Sequence, residues 1–353
     1  MDLNELGDGE PIQELSEEEE NMEDETHTGD KSMKIMQLVL IIIILLVLGF
    51  AIFLVVRWQK GINLIITEDD LTEDYDIESE DFYCVFDPTE DPEYVDDGEV
   101  NIVIMGDDSI FYTNDEDGIP AQIAQKTDAN VTALALPGST IAVPGKGFST
   151  EKPESAFSFY YLALCMSGGL RGSYELQESA IGYMDEPAIY QEYLDTLRQI
   201  EFDNVDILIV QYGLSDYLAG IQNVGDNVYS AHPYGDIDSF SGAFYLALQA
   251  LKERYPHMQI IVSGPSYSIF TTEDGEKIGG EIYNTGNGTL GEYVLFLKQI
   301  TLEQRCSFVD NYFGSDFNIK THEEYLEDNG IYPNSEGNEI IAEHLISFFY
   351  FNR

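Results

Sequence analysis

The sequence predicts an α/β domain, a three-layer α/β/α sandwich around a central parallel sheet, preceded by a single transmembrane helix. Two observations predict the domain. From Glu99 onward, short apolar runs alternate with amphipathic segments of helical period. The runs are almost continuously apolar, as strands buried on both faces require. A third observation predicts the anchor: residues Ile35 to Val56 carry no charge and lie between Lys31, Lys34, Arg57 and Lys60.

Taken in order, residues 1–34 form an acidic tail. It includes the run Glu17 to Glu20 and is almost free of aromatic residues, a composition that favours a solvated, disordered chain. The apolar run 35–56 is 22 residues long. At about 1.5 Å per residue it spans a hydrocarbon layer of roughly 30 Å. It lacks the short apolar core and small-residue cleavage site of a removable signal peptide. Basic residues are equally frequent on its two sides, so orientation rests on a signal-anchor arrangement: tail inside, large C-terminal domain outside the cytoplasm, at the cell membrane. Residues 57–98 are again acidic and read as a linker or stalk, with short ordered pieces around Phe82 to Phe86.

Residues 99–353 then form one domain. Strands are expected at Ile102–Met105, Val131–Leu136, Val205–Tyr212, Gln259–Ser263 and Ser307–Val309. Helices are expected at Ile119–Lys126, Glu154–Met166, Ala188–Ile200, Phe240–Arg254 and Leu290–Gln304. A last helix, Ser335–Phe349, has Asn334 or Ser335 as its cap and Glu336 in its first turn.

The chain has 66 acidic and 16 basic residues, a formal net charge of −50. That balance repels phosphate backbones and excludes nucleic acid as a partner. Three cysteines, Cys84, Cys165 and Cys306, are too few for a disulfide framework or a zinc site, and at most one pair could bridge.

Polar clusters fall at strand ends, where ligands bind in open α/β sheets. They are Gly106-Asp107-Asp108-Ser109, Pro137-Gly138-Ser139-Thr140, Gly213-Leu214-Ser215-Asp216-Tyr217 and Gly264-Pro265-Ser266-Tyr267. A fifth, from Asp328 to Gly337, precedes the last helix. Each alone is an ordinary turn; five in this order are more specific.

In that order they resemble the SGNH (GDSL-type) hydrolase family over about Asn101 to Phe349, which implies a flavodoxin-like sheet and a serine esterase site. The resemblance implies a nucleophile in the Gly-Asp-Ser turn, and oxyanion donors from a glycine and an asparagine after the next two strands. An Asp-x-x-His pair before the last helix would complete the triad. Gly106 and Asp107 match the first turn, Gly138 the second block, Gly213 and Asp216 the third. The remaining equivalents are substituted. Asp108 stands at the nucleophile, with Ser109 one place on; Ser215 stands at the oxyanion asparagine; Asn329 and Tyr332 stand at the aspartate and histidine. Asn329 holds no charge to orient an imidazolium, and a tyrosine of pKa near 10 is a poor base at neutral pH. If the ungapped register holds, Tyr332 donates a hydrogen bond to the Asp108 carboxylate in place of the serine–histidine contact.

Among the histidines, His27, His257, His322 and His344 lie in unsuitable places, and only His232, in the long loop after Asp216, could swing over the edge. Asp107, Asp108, Asp216 and Asp328 offer hard oxygen ligands for Ca²⁺ or Mg²⁺. No EF-hand spacing accompanies them, and carboxylate clusters are ordinary in so acidic a chain, so no metal or cofactor is predicted.

The resulting expectation is a membrane-anchored, extracytoplasmic domain with a degenerate esterase site that acts by binding a glycan or acylated cell-surface polymer. One alternative is an active acyl or acetyl esterase that uses Ser109 on a small ester. The other is a structural cell-surface module. Oligomeric state is left open.

Overall fold

The computed structural model describes residues 36–45, 47–49, 79–92, 94–145, 147–169, 173–224, 235–272 and 274–352. The chain divides into two compact units, Met1–Asp76 and Ile77–Arg353. In the first, the described residues 36–45 and 47–49 are helical with exposed side chains. The rest of the expected span lies outside the described residues, among which no helix is long and apolar enough to cross a membrane.

The second unit is built on a five-stranded sheet of order β2-β1-β3-β4-β7, parallel throughout. Its strands are β1 (Asn101–Gly106), β2 (Asn130–Ala135), β3 (Ile207–Gln211), β4 (Gln259–Ser263) and β7 (Ser307–Val309). All five expected strands form, with edges shifted by one or two residues at most sites. β3 and β4 are buried at every position, which explains their apolar centres, Ile207–Val210 and Ile260–Val262. β2 is an edge strand and is only partly buried.

The order of the strands decides where a site can sit. From β1 the chain first crosses to one side (β2), then to the other (β3, β4, β7). Right-handed crossovers therefore put their helices on opposite faces. Helix Phe240–Arg254 packs with Phe159–Met166 and Leu290–Glu303 on one face, and Ser335–Ile346 packs with Ile119–Thr127 on the other. The carboxyl ends of β1 and β3 flank the point where the direction reverses, and a crevice opens there.

Helix limits follow local chemistry. Thr289 and Glu292 form a reciprocal capping box at the start of Leu290–Glu303. Asn334 caps Ser335–Ile346 by accepting from Gly337 N. The expected Glu154–Met166 helix is broken instead into a 3₁₀ turn, Pro153–Phe157, and a helix, Phe159–Met166. Ser158 is the reason: its extended backbone ends the first piece, and its side chain caps the second. An antiparallel hairpin, β5 (Ile269–Thr271) with β6 (Lys277–Gly279), and helix Glu175–Ile181 were not anticipated.

The expected linker ends sooner than residue 98. Residues 79–84 lie along β7, where Phe82 exchanges backbone hydrogen bonds with Phe308 in an antiparallel bridge. Asp81 accepts from Asp310 N–H and pairs with His344, and Glu80 pairs with Lys298. Further along, Phe86 meets Tyr350 and Tyr94 stacks on His257. An acidic composition hid these contacts, because each uses a single aromatic or aspartate rather than a periodic apolar face. All three cysteines are free thiols.

Candidate active-site edge

Four predicted turns meet at the carboxyl ends of β1, β2 and β3. The first is forced tight at Gly106: a Cβ there would lie 2.5 Å from Ile110 Cγ1 and 2.9 Å from the Gln211 carbonyl. The chain then folds at once into a short helix, Asp108–Phe111, capped by Asp107.

Asp107 is fully buried and is the knot of the edge. Its Oδ1 accepts from Ser109 N at 2.9 Å, and its Oδ2 accepts from Gly213 N at 3.0 Å and Ser215 N at 2.9 Å. Three charge-assisted bonds to backbone N–H groups hold the turns after β1 and β3 together. Burial pushes its carboxyl up to about 6, against the lowering effect of those N–H donors; the neighbouring Asp108 charge also raises it. Asp216, also fully buried, does the same for the next turn. It accepts from Ile141 N at 2.8 Å and Ala142 N at 3.1 Å, and burial pushes it up to about 7.

Asp108 is 9% exposed and points into the edge. Its Oδ2 accepts from the Ser215 hydroxyl at 2.7 Å, and its Oδ1 accepts from Gly138 N at 3.1 Å. Gly138 has φ +68°, a left-handed conformation that turns its N–H toward the carboxylate at no steric penalty for glycine. The two groups expected to receive an oxyanion, Gly138 and Ser215, are thus both engaged by the side chain at the expected nucleophile position.

The anticipated hydrogen bond from Tyr332 to Asp108 is not among the contacts formed. Tyr332 is half-buried and lies against Tyr112 instead, ring centroids 4.8 Å apart and planes 31° apart. Burial holds its hydroxyl well above the ordinary tyrosine range, and the Asp108 charge adds to the effect. Ser215, closer in the fold than any sequence spacing implied, takes the place at the carboxylate. Asn329 is exposed and caps its own turn, accepting from Ile331 N at 2.8 Å and Tyr332 N at 3.3 Å. Ser109 Oγ is buried without a hydrogen-bond partner at ordinary distance.

No described histidine serves this edge. His257 faces Asp91, His344 faces Asp81, and His322 bonds to the Ile319 carbonyl through Nδ1. His232 and His27 lie outside the described residues. Among the described residues no group of three or more His, Cys, Asp or Glu is arranged to hold a metal ion. The buried carboxylates are turned onto backbone N–H groups, and Asp328 is exposed.

Sequence reading missed Tyr112, which ends the Asp108–Phe111 helix and is 55% exposed beside Tyr332. Its signal was helical spacing: four residues after Asp108, it lies on the same side of a helical turn. It also missed Ile141 and Ala142, whose contribution is backbone N–H alone. A cavity of about 750 Å³ lined by Met166, Tyr174, Arg198 and Tyr255 shares no residue with this edge.

Strand order, the Gly-Asp turn after β1 and the polar turns at the carboxyl edge together describe an α/β fold of SGNH/GDSL hydrolase type. No family model and no curated relative matches the chain. Among solved structures it is similar to a possible lipase of Chitinophaga pinensis, at 15% identity over 71% of this chain and 98% of that one, TM-score 0.44. It is similar also to a protein named as a GDSL-like lipase from Parabacteroides merdae (14%, 72% and 97%, TM-score 0.40). A lipase/acylhydrolase from Enterococcus faecalis gives 11%, 70% and 93%, with TM-score 0.36.

Proposed function

We propose that this protein is a membrane-anchored SGNH-type domain that has lost ester hydrolysis and acts by binding at the edge around Asp108, toward a glycan or acylated polymer of the cell surface. The observation that carries this reading is the Asp108 carboxylate on Ser215 Oγ and Gly138 N–H. A hydrolytic site needs a nucleophile, a base and free donors for a developing oxyanion. Here an acceptor-only carboxylate stands at the nucleophile, and it already occupies the donors. A second anion forming beside it would be opposed by the first. The anchor is supported by the uncharged run 35–56.

A second reading, hydrolysis by Ser109, is favoured by one observation: its hydroxyl is buried beside the Asp107 carboxyl, with no other partner. It lacks a histidine base among the described residues, and losing a triad member lowers rates by about 10⁴-fold.

The experiment is an assay of the detergent-solubilised full chain on short-chain aryl esters. The expected result is turnover no greater than that of Ser109→Ala. Activity that vanishes in Ser109→Ala establishes the second reading. A variant carrying Asp108→Ser, Ser215→Asn, Asn329→Asp and Tyr332→His together is expected to gain esterase activity, since the turns that hold these positions are intact.

A further inference from the structure

We infer that Cys84 and Cys306 close a disulfide that staples residues 79–84 to the edge strand β7 when the chain meets a disulfide donor. Both are free thiols in this structure.

Register places them together. Phe82 and Phe308 exchange backbone hydrogen bonds at 2.9 and 2.8 Å in an antiparallel bridge. Antiparallel segments run in opposite senses, so two residues on from Phe82 and two back from Phe308 set Cys84 opposite Cys306. The segments still lie alongside there: Ser307 Oγ accepts from Cys84 N–H at 3.1 Å and donates to the Cys84 carbonyl at 3.5 Å. Alternate pairs counted from a hydrogen-bonded one stand about 5.5 Å apart at Cα, with their side chains on one face. A disulfide needs about 4.4–6.8 Å. A second observation agrees, since the charge of Cys84 is felt at Cys306 and opposes its ionisation. Neither sulfur has a strong partner to give up. Cys84 Sγ lies 3.8 Å from the Val85 carbonyl, and Cys306 Sγ 3.7 Å from that of Gln304. The third cysteine, Cys165, is buried elsewhere, its Sγ against the Ser173 carbonyl and the Gln177 side chain.

Unequal access fixes the order of steps. Cys84 is partly exposed, whereas Cys306 is 3% exposed. The Cys84 thiolate attacks one sulfur of the donor, whose S–S bond breaks, and one donor thiolate leaves. Cys306 then gives up its proton and attacks Cys84 Sγ; the mixed disulfide breaks and the second donor thiolate leaves. Two cysteines are oxidised, the donor is reduced, and the two cysteine protons end on the donor's thiols. Burial pushes the Cys306 thiol up to about 12, with Lys252 acting downward, so Cys306 is slow to ionise and acts second. An oxidising compartment, which the orientation proposed above would provide, supplies such donors. The bond closes a loop of more than 200 residues and keeps the β7 edge covered.

To test this, the reduced full chain in maltoside micelles is incubated with oxidised glutathione, alkylated in denaturant with N-ethylmaleimide and digested without reduction. Mass spectrometry is expected to find a linked Cys84–Cys306 peptide and alkylation at Cys165 alone, one thiol per chain where the reduced protein has three. By differential scanning calorimetry the oxidised chain is expected to melt roughly 5–15 °C above the reduced one. Cys165→Ser is expected to keep that shift, and Cys84→Ser, at a partly exposed position, to abolish it. Three free thiols after oxidation overturn the inference. So does a glutathione adduct on Cys84 that never passes to Cys306, a bond to Cys165, or a bond between two chains through Cys84. A linked pair that leaves the melting temperature unchanged overturns the staple.

Discussion

Asp107 and Asp216 show how much a single buried carboxylate can organise. Neither touches a cation among the described residues; each is held by backbone N–H groups from a distant turn. Burial raises both, to about 6 and about 7. A carboxyl whose folded pKa lies above its unfolded value contributes stability that is full below the unfolded pKa and lost as pH rises through the folded one. The window here is therefore pH 4 to 7. A rise from 3.8 to about 7 for Asp216 corresponds to a loss on the order of 4 kcal/mol across it, at about 1.4 kcal/mol per pH unit. Asp216→Asn, which cannot ionise, should be less stable than wild type at pH 5 by roughly 1–3 kcal/mol, because one N–H loses its acceptor. Its stability should also fall less between pH 5 and 7.5. Urea unfolding of the 77–353 unit at the two pH values checks both, and parallel pH slopes for variant and wild type sink the assignment.

Among the elements, the strap of residues 79–97 carries the largest unforeseen contribution. β7 ends the sheet, and an unpaired parallel edge is a template for association. Phe82 covers it with two backbone hydrogen bonds, 2.9 and 2.8 Å, and Cys84 N adds one to Ser307 Oγ at 3.1 Å. For Asp81, burial acts upward, yet hydrogen bonds from His344 and Asp310 N–H hold the carboxyl below its ordinary range. Its contribution is present above the unfolded pKa and lost as pH falls through the folded one, the opposite sign to Asp216. Several such bonds at roughly 0.5–1.5 kcal/mol each amount to a few kcal/mol. A chain beginning at Glu99 should therefore melt about 5–10 °C below one beginning at Ile77, given 2–4 °C per kcal/mol for a unit of this size. It should also associate through β7. Equal melting temperatures by differential scanning calorimetry, with both chains monomeric, would show that the strap contributes nothing.

At the scale of the whole molecule, a charge of −50 sets the company the protein keeps. Such a surface repels other anions and favours cations. The same acidity makes the uncharged run Ile35–Val56 stand out, since water offers so polar a chain no reason to keep 22 consecutive uncharged, largely aliphatic residues. The full chain should sediment with membranes through high-salt and alkaline washes and be released only by detergent, whereas deletion of 35–56 should leave it in the supernatant. Release of the intact chain by alkaline washing alone would mean the run does not span. Protease added outside intact cells should remove the 77–353 unit; its protection would reverse the orientation.

Local pattern determined most of the architecture. Apolar runs of strand length, helical periods between them and a Gly-Asp turn after β1 are written within windows of a few residues, so strands, main helices and the position of Asp108 were all legible. What the window could not contain was the partner. The Asp108–Ser215 hydrogen bond joins residues 107 positions apart, and Phe82 reaches β7 across more than 200. Tyr332 was the natural partner by family spacing, but its half-buried ring packs on Tyr112, and the shorter Ser215 hydroxyl fills the distance to the carboxylate. A break at Ser158 and the hairpin at 269–279 depend likewise on competition between nearly equal local choices. Local pattern thus marked the turns that carry Asp107, Asp108, Gly138 and Ser215, but not Tyr112 or the N–H groups of Ile141 and Ala142; only the tertiary fold decided which of them are spent on one another, because hydrogen bonding there depends on distances of a few tenths of an ångström that no local pattern encodes.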